Sequence, residues 1–584
     1  MASARQNPAA RPELTLRAIL TGMALGALLT PCNVYSGLKI GWAFNMSVAA
    51  GLLAFAFWRA GEGLGARRWG LLENNINQTA ASSAASIISS GLAAPIPALA
   101  LITGQTLAWQ WLAFWLLAVS LVGVVVAAGL RNQMLEARGL PFPSGMATAE
   151  TIQDIHAGGG EASARLRVLF PAAAIAAALK LVTDLLYALP RLAPGLKVPG
   201  GASAANLGFA LDPSLLMVGF GAIAGLRAGL SALLGAVIAW GLLGPLALAR
   251  GWARHGEADP GASWFGPLVE WLLWPGATLM TVAALASFIL SIARMLARGR
   301  AAAGGASTRR VLVLGRRTFA AAFLVALAIA TAAQTILFGI GPVEAVLAVL
   351  LGFVLAAVAG WVSGETGITP VGALGKVTQL SFALISPGNV TANLMSANVT
   401  GGAAGQCADL LHDLRTGQIV GATPRLQFVA QLFGVLTGSL AGAAAYLAII
   451  PDPQAMLMTP DWPAPAVATW KAVAEVLSAG LHAMPPGALP AMAAAAAAGL
   501  ALAAGDAFLP ARAARLLPSA TAMGLGFVIP AWNSVSLAIG ALAGLAITSI
   551  APEWARARLI VLAAGLIVGE SLAGVVTALA TLAR

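Results

Sequence analysis

The chain has 584 residues, of which 59% are hydrophobic and only 9% charged; an average soluble domain carries roughly 25% charged residues, so a single water-facing globule is excluded. The formal net charge is +11. Its arginines sit in short segments between apolar runs, which points to membrane topology and excludes a nucleic-acid surface.

Residues 1–15 are polar and basic for longer than a cleavable signal would be, and read as a retained cytoplasmic tail. The first span begins near Leu16. The fold class expected is all-α: a polytopic membrane protein of about sixteen crossings, at roughly 20 apolar residues each. A first membrane half is expected at 16–297, a basic cytoplasmic loop at 298–317 and a second half at 318–584. Unbroken apolar helices are predicted at 107–130, 228–249, 270–296, 318–340, 343–363, 424–450, 486–505 and 557–582. Arg298, Arg300, Arg309, Arg310, Arg316 and Arg317 mark the central loop as cytoplasmic, whereas 451–465 has two Asp and no Lys or Arg and is read as facing outward. Basic residues at both termini place both inside, which requires an even number of crossings. Cys32 and Cys407 have no disulfide or metal-ligand spacing.

Between the unbroken helices lie stretches apolar enough for the membrane but too polar to face lipid: 30–47, 73–91, 141–156, 364–402 and 517–540. Freed backbone groups at membrane depth survive only inside protein or along a wet cavity, and broken helices of this kind form the midplane sites of secondary transporters. There is weak internal similarity, TGMALGALLTPCNVYSGLKIG (21–41) with TAMGLGFVIPAWNSVSLAIG (521–540) and ENNIN (73–77) with ETGIT (365–369), read as internal repeats.

PFPSGMATAETI, beginning at Pro141, resembles the PFPSG-T-A signature of the oligopeptide transporter (OPT) family, which includes the yellow-stripe metal-chelate transporters of plants. NVYSGLKIGW, ENNINQT, GITPVGALGKVTQLSF, SANVTGGAAGQCADLLHDLRTG and LPSATAMGLGFVIP resemble it further, in the family's order and over nearly the whole chain. The resemblance implies a sixteen-span, proton-driven symporter of small peptides or peptide-like metal chelates. Met146 stands where the family usually has Thr, and Glu150 where the plant chelate transporters tend to have His, which leaves peptides ahead.

Burying a charge in a membrane helix costs about 2.5–3.5 kcal/mol on insertion scales, so ionisable groups there are functional candidates. Glu150, Glu365 and Glu570 are the candidate proton-coupling carboxylates. For Glu150 the alternative is a water-facing position, and Asp154 and His156 are read as having reached water. Pro141, Pro143 and Gly145 are expected to break a helix that lines the substrate path, with Ser144 and Thr148 as hydrogen-bonding groups. Lys376 is read as an anchor for a peptide carboxylate that pairs with Glu365 at rest. Asn33, Tyr35, Asn77, Gln78, Thr369, Gln379, Asn393, Asn398 and Asn533 concentrate donors and acceptors in the broken segments; singly each reads as interhelical glue, together as a cavity for substrate. Lys180 and Asp184 read as an internal ion pair. Asp409, His412, Asp413 and Arg415 read as the solvated face of an interfacial helix ending at Gly417.

No Walker motif, no HExxH and no suitably spaced nucleophile and base occur, and scattered dissimilar breaks argue against a channel filter. The expectation is therefore a transporter and not an enzyme, without cofactor or metal site, with a small peptide or chelate and protons as partners. It sits in a bacterial inner membrane and is open to forming a homodimer.

Overall fold

The computed structural model describes residues 12–41, 43, 45–137, 139–157, 160–196, 202–259, 261–301, 312–480 and 484–582. Most of the N-terminal tail and half of the basic loop, including Arg309 and Arg310, lie outside the described residues. Among those described the elements are helices, with one isolated bridge between Leu192 and Leu211.

The chain opens with α1 (Leu16–Ile40), α2 (Ser47–Gly63), α3 (Leu71–Ala85) and α4 (Pro95–Thr103). Then come α5 (Trp109–Arg131), α6 (Pro143–His156), α7 (Gly160–Leu181), α8 (Leu215–Ala236), a short α9 (Gly244–Ala249) and α10 (Phe265–Ala301). After the basic loop follow α11 (Arg316–Phe338), α12 (Pro342–Thr366), α13 (Val371–Ile385), α14 (Val390–Val420), α15 (Pro424–Ile449), a short α16 (Pro453–Met456) and α17 (Pro465–Ala479). The chain closes with α18 (Ala488–Phe508), a short α19 (Ala511–Ala514), α20 (Ala520–Val528), α21 (Ala531–Ile550) and α22 (Pro552–Leu582). Proline stands in the first turn of α4, α6, α12, α15 and α17, where its fixed φ suits the helix and its missing N–H costs nothing.

Among the described residues, 12 helical stretches are long and apolar enough to cross a membrane. The further crossings expected from the sequence would have to come from shorter or more polar helices: α2, α13 and α17 have 17, 15 and 15 residues, and α14, at 31 residues, is rich in polar side chains.

The breaks fall partly elsewhere than expected. α1 runs through Pro31 and stops only where Gly41 takes a left-handed φ of 77°, so the break expected within 30–47 falls in the later part of that stretch. Pro530, the counterpart of Pro31 in the 21–41 and 521–540 similarity, does separate two helices, α20 and α21. Matching sequence there does not carry matching local structure. The break in PFPSG precedes Pro143, at Phe142 with φ 47°, and α6 is continuous from Pro143 to His156. The 228–249 helix starts earlier, as α8, and kinks at Gly225.

Helices from both sides of the basic loop pack together: α3 on α15, α5 on α14, α7 on α22 and α8 on α21. α14 is the spine, touching α3, α4, α5, α6, α11, α12, α13, α15 and α17, and nearly all of it is buried. A helix so polar can lie there because its neighbours supply partners that lipid cannot.

Candidate functional site

The signature at 141–145 is a docking device. A Cβ on Gly145 would lie 2.2 Å from the His412 carbonyl oxygen, so only glycine lets the start of α6 touch α14. That approach lets the Gly145 N–H donate to His412 Nδ1 (3.3 Å) and its carbonyl accept from Thr416 Oγ1 (2.9 Å). His412 Nε2 lies 3.0 Å from Ser363 Oγ on α12, and Ser363 Oγ lies 3.0 Å from Thr369 Oγ1. Phe142 stands edge-on to the His412 ring at 5.3 Å, and its N–H donates to the Gly364 carbonyl (2.9 Å). PFPSG, GITP and HDLRTG thus meet at one junction of α6, α12 and α14.

This overturns the solvated-face reading of residues 409–415. Asp409, His412 and Asp413 are 7%, 5% and 1% exposed, and α14 continues past Gly417 to Val420. The reason is close helix approach: a Cβ on Gly434 of α15 would sit 2.2 Å from the Ala80 carbonyl of α3, which draws α3 and α15 together beside α14. Asp409 Oδ1 accepts from Ser82 Oγ (3.0 Å) and Ser86 Oγ (2.8 Å), and Oδ2 from Gln431 Nε2 (3.2 Å). Asp413 Oδ1 is 3.4 Å from Ser47 Oγ, and Oδ2 has no hydrogen-bond partner among the described residues. The signal available in the sequence is the spacing of Gln406, Asp409, Asp413 and Thr416, which puts all four on one helical face.

A second polar cluster lies nearer the start of α14. Lys376 on α13 is 3% exposed. Its Nζ donates to Gln379 Oε1 (3.0 Å) and the Thr469 carbonyl (3.5 Å), and lies 4.4 Å from the centroid of Trp470 on α17. Gln379 Nε2 donates to Asn393 Oδ1 (3.1 Å) and the Trp470 carbonyl (3.4 Å), and Asn393 Nδ2 to the Gln379 carbonyl (2.7 Å). Lys376, Gln379 and Asn393 are therefore brought together. The expected resting pair of Lys376 with Glu365 does not form: the turn at 367–370 leaves Glu365 exposed at the end of α12, where it accepts from Trp361 Nε1 (3.0 Å).

The other expected residues spread around this spine. Asn398 Oδ1 accepts from Trp115 Nε1 (2.9 Å). Asn33 Nδ2 donates to the Ala85 carbonyl (3.1 Å), Asn77 Nδ2 to that of Ala50 (3.3 Å), and Gln78 Nε2 to Thr79 Oγ1 (3.1 Å). Ser144 is half-buried, its carbonyl accepting from the buried Thr148 hydroxyl (2.9 Å), and Glu150 is exposed on the same helix. Asn533 is buried at the start of α21, apart from these clusters. Tyr35 lies edge-on to Trp462 at 5.2 Å, with Lys39 Nζ 4.9 Å from the Trp462 centroid. Glu570 is buried and accepts from Ser214 Oγ and the Leu216 N–H, each at 2.7 Å, so it caps α8. Lys180 and Asp184 pair at 2.8 Å, as expected. Asp154 is exposed and pairs with Arg165 at 2.9 Å, while His156 is half-buried against Asn74. A 420 Å³ pocket beside α4 and the end of α15 is lined by none of the Lys376 or Asp409 cluster and holds no charged side chain.

The family described as OPT oligopeptide transporter protein matches residues 13–581. The chain belongs to the OPT oligopeptide transporter family. Among its relatives is a putative oligopeptide transporter of Saccharomyces cerevisiae, 25% identical over 76% of this chain and 78% of its own. A putative oligopeptide transporter of Haemophilus influenzae is 26% identical over 70% of this chain and 68% of its own. A probable metal-nicotianamine transporter of Oryza sativa is 25% identical over 96% and 88%. This OPT transporter is thus similar to proteins named for two substrate classes, and its α6–α12–α14 junction is built from the segments that carry the family resemblance.

Proposed function

We propose that this OPT transporter is a secondary active symporter that carries small oligopeptides together with protons. The observation that supports it is Lys376, a side chain buried among Gln379, Thr469 and Trp470 with no carboxylate partner among the described residues. A buried cation without a counter-charge is costly, and the C-terminal carboxylate of a peptide supplies that charge on binding. Gln379, Asn393 and Asn398 offer amide groups that both donate and accept, which suits a peptide backbone whatever its side chains. Asn33, Tyr35, Asn77, Gln78, Ser144, Thr148, Thr369 and Asn533 extend the polar lining in this proposal. Glu150 and Glu365, exposed on α6 and α12, exchange the coupling proton with water, and Glu570 is the buried alternative.

The arginine pattern supports cytoplasmic termini, a cytoplasmic loop at 298–317 and membrane halves at 16–297 and 318–584; the high Ala and Arg usage supports a bacterial inner membrane. The proposal treats the chain as a carrier, not an enzyme. The test is uptake of one tripeptide with a free or an amidated C-terminus by purified protein in liposomes. Preference for the free acid is expected, and equal uptake of both would remove Lys376 as the carboxylate anchor. A second reading, uptake of carboxylate-bearing metal chelates, is favoured by the relatives named as metal-nicotianamine transporters; such chelates would meet the same lysine.

A further inference from the structure

The hydrogen-bond inventory around the lower half of α14 is short of donors. Asp409 and Asp413 are buried one helical turn apart, and neither forms an ion pair among the described residues. Among the described residues Asp413 Oδ2 has no partner, and neither has Oε1 of Gln78, Gln427 or Gln431, three amide side chains that are 0% exposed. Gln78 lies against the Asp413 carboxylate, Gln427 Nε2 donates to the Asp413 carbonyl (2.7 Å) and Gln431 Nε2 to Asp409 Oδ2 (3.2 Å). Asp413 Oδ2 thus lies in a buried amide-rich setting in which several acceptor oxygens are left without a hydrogen.

The two carboxylates are joined by two serines. Ser82 Oγ donates to Asp409 Oδ1 (3.0 Å), Ser47 Oγ donates to Ser82 Oγ (2.9 Å), and Ser47 Oγ is 3.4 Å from Asp413 Oδ1. A serine hydroxyl has one hydrogen. Once Ser47 gives its hydrogen to Ser82, its contact with Asp413 is a hydrogen bond only if Asp413 is the donor.

We infer that Asp409 and Asp413 share one dissociable proton through Ser47 and Ser82, and that this buried pair is where the transporter holds its coupling proton. In the state drawn by these contacts Asp413 carries the proton and Asp409 is the carboxylate. Reversal is balanced: Asp413 gives its proton to Ser47, Ser47 passes its own to Ser82, and Ser82 passes its own to Asp409. The carboxylate charge then rests on Asp413 and no net charge enters or leaves. Two buried carboxylates this close disfavour joint ionisation.

The groups facing the pair are otherwise neutral. α2 contributes Ser47, α3 and the turn after it contribute Gln78, Ser82 and Ser86, and α15 contributes Gln427 and Gln431. His412 points to α6 and α12, through Gly145 and Ser363. The charged group that acts on Asp413 is Asp409. Its role in coupling rests on the proposed symport, but the proton itself is testable without any substrate.

The experiment is infrared difference spectroscopy of the full-length protein in lipid at neutral pH, in choline chloride. A carbonyl-stretch band of a protonated carboxylic acid is expected in the wild type, lost in Asp413→Asn and shifted in Ser47→Ala, which keeps both carboxylates. An unchanged band in both variants would overturn the inference. So would loss of the wild-type band when sodium replaces choline at constant pH, since the site would then bind a metal cation. Failure of peptide uptake with the band present would count against the symport reading alone.

Discussion

Lys376 presents its Nζ to the face of Trp470, 4.4 Å from the ring centroid, while Glu365 lies on the preceding helix, beyond the turn at 367–370. A cation over an indole face is stabilised by about 0.5–2 kcal/mol, more when desolvated, which holds the ammonium in place between substrates. A charge-assisted hydrogen bond to an arriving carboxylate is worth about 1.5–3 kcal/mol, or roughly 10- to 100-fold in affinity. Lys376→Gln should raise the apparent KM for a tripeptide by about that factor and abolish discrimination against its C-terminal amide. Unchanged discrimination in initial-rate uptake would contradict this role.

Gln379 and Asn393 bond each other as well as backbone. If they also meet substrate, Gln379→Ala and Asn393→Ala each raise apparent KM with little loss of protein. Unchanged kinetics in both, with a lowered melting temperature, would assign them to holding α13 on α14.

Gly145→Ala places a methyl where the His412 carbonyl stands. Overpacking of this kind costs about 1–3 kcal/mol. A lower melting temperature in detergent is expected, together with reduced transport, because α6 is forced off α14. Wild-type stability and rate in this variant would show that the contact is not needed.

Glu73 opens α3 and is 1% exposed. It pairs with Arg17 and with Arg67 (3.3 Å) and accepts from Thr15 Oγ1 (2.7 Å), while Arg17 Cζ lies 5.0 and 5.1 Å from the centroids of Trp58 and Trp69, whose rings stack on each other. Removing one member of a buried pair costs about 3–5 kcal/mol, and the part-exposed Arg17 puts Glu73→Gln at the lower end. The variant should lose stability but keep its KM, as measured on the fraction that remains folded.

Glu150 is exposed on α6, five residues beyond the Gly145 contact. Glu150→Gln is expected to abolish proton-driven accumulation while sparing substrate exchange across the membrane. Loss of neither would remove it from the coupling path.

The helices and the family were legible because apolar runs and six ordered motifs survive in the sequence alone. Pro143 and the Gly367 turn announce the α6 and α12–α13 boundaries through backbone chemistry that reads locally. Pro31 lies inside α1 without ending it, since the rest of the helix outweighs one missing hydrogen bond. The burial of Asp409, His412 and Asp413 was not legible, because their charge reads as solvation until α3, α6, α12 and α15 are known to surround them. Glu570 looked like a free carboxylate for a similar reason: its donors, Ser214 and Leu216, are more than 350 residues away.

The most direct measurement is uptake by the purified protein in liposomes, comparing a tri- to hexapeptide pool with iron and nickel chelates, with and without an inward proton gradient. Accumulation of peptide that requires the gradient is the result expected from a proton-coupled peptide symporter. Equal uptake with and without the gradient would contradict proton coupling, and gradient-driven uptake of the chelates alone would contradict peptides as the substrate.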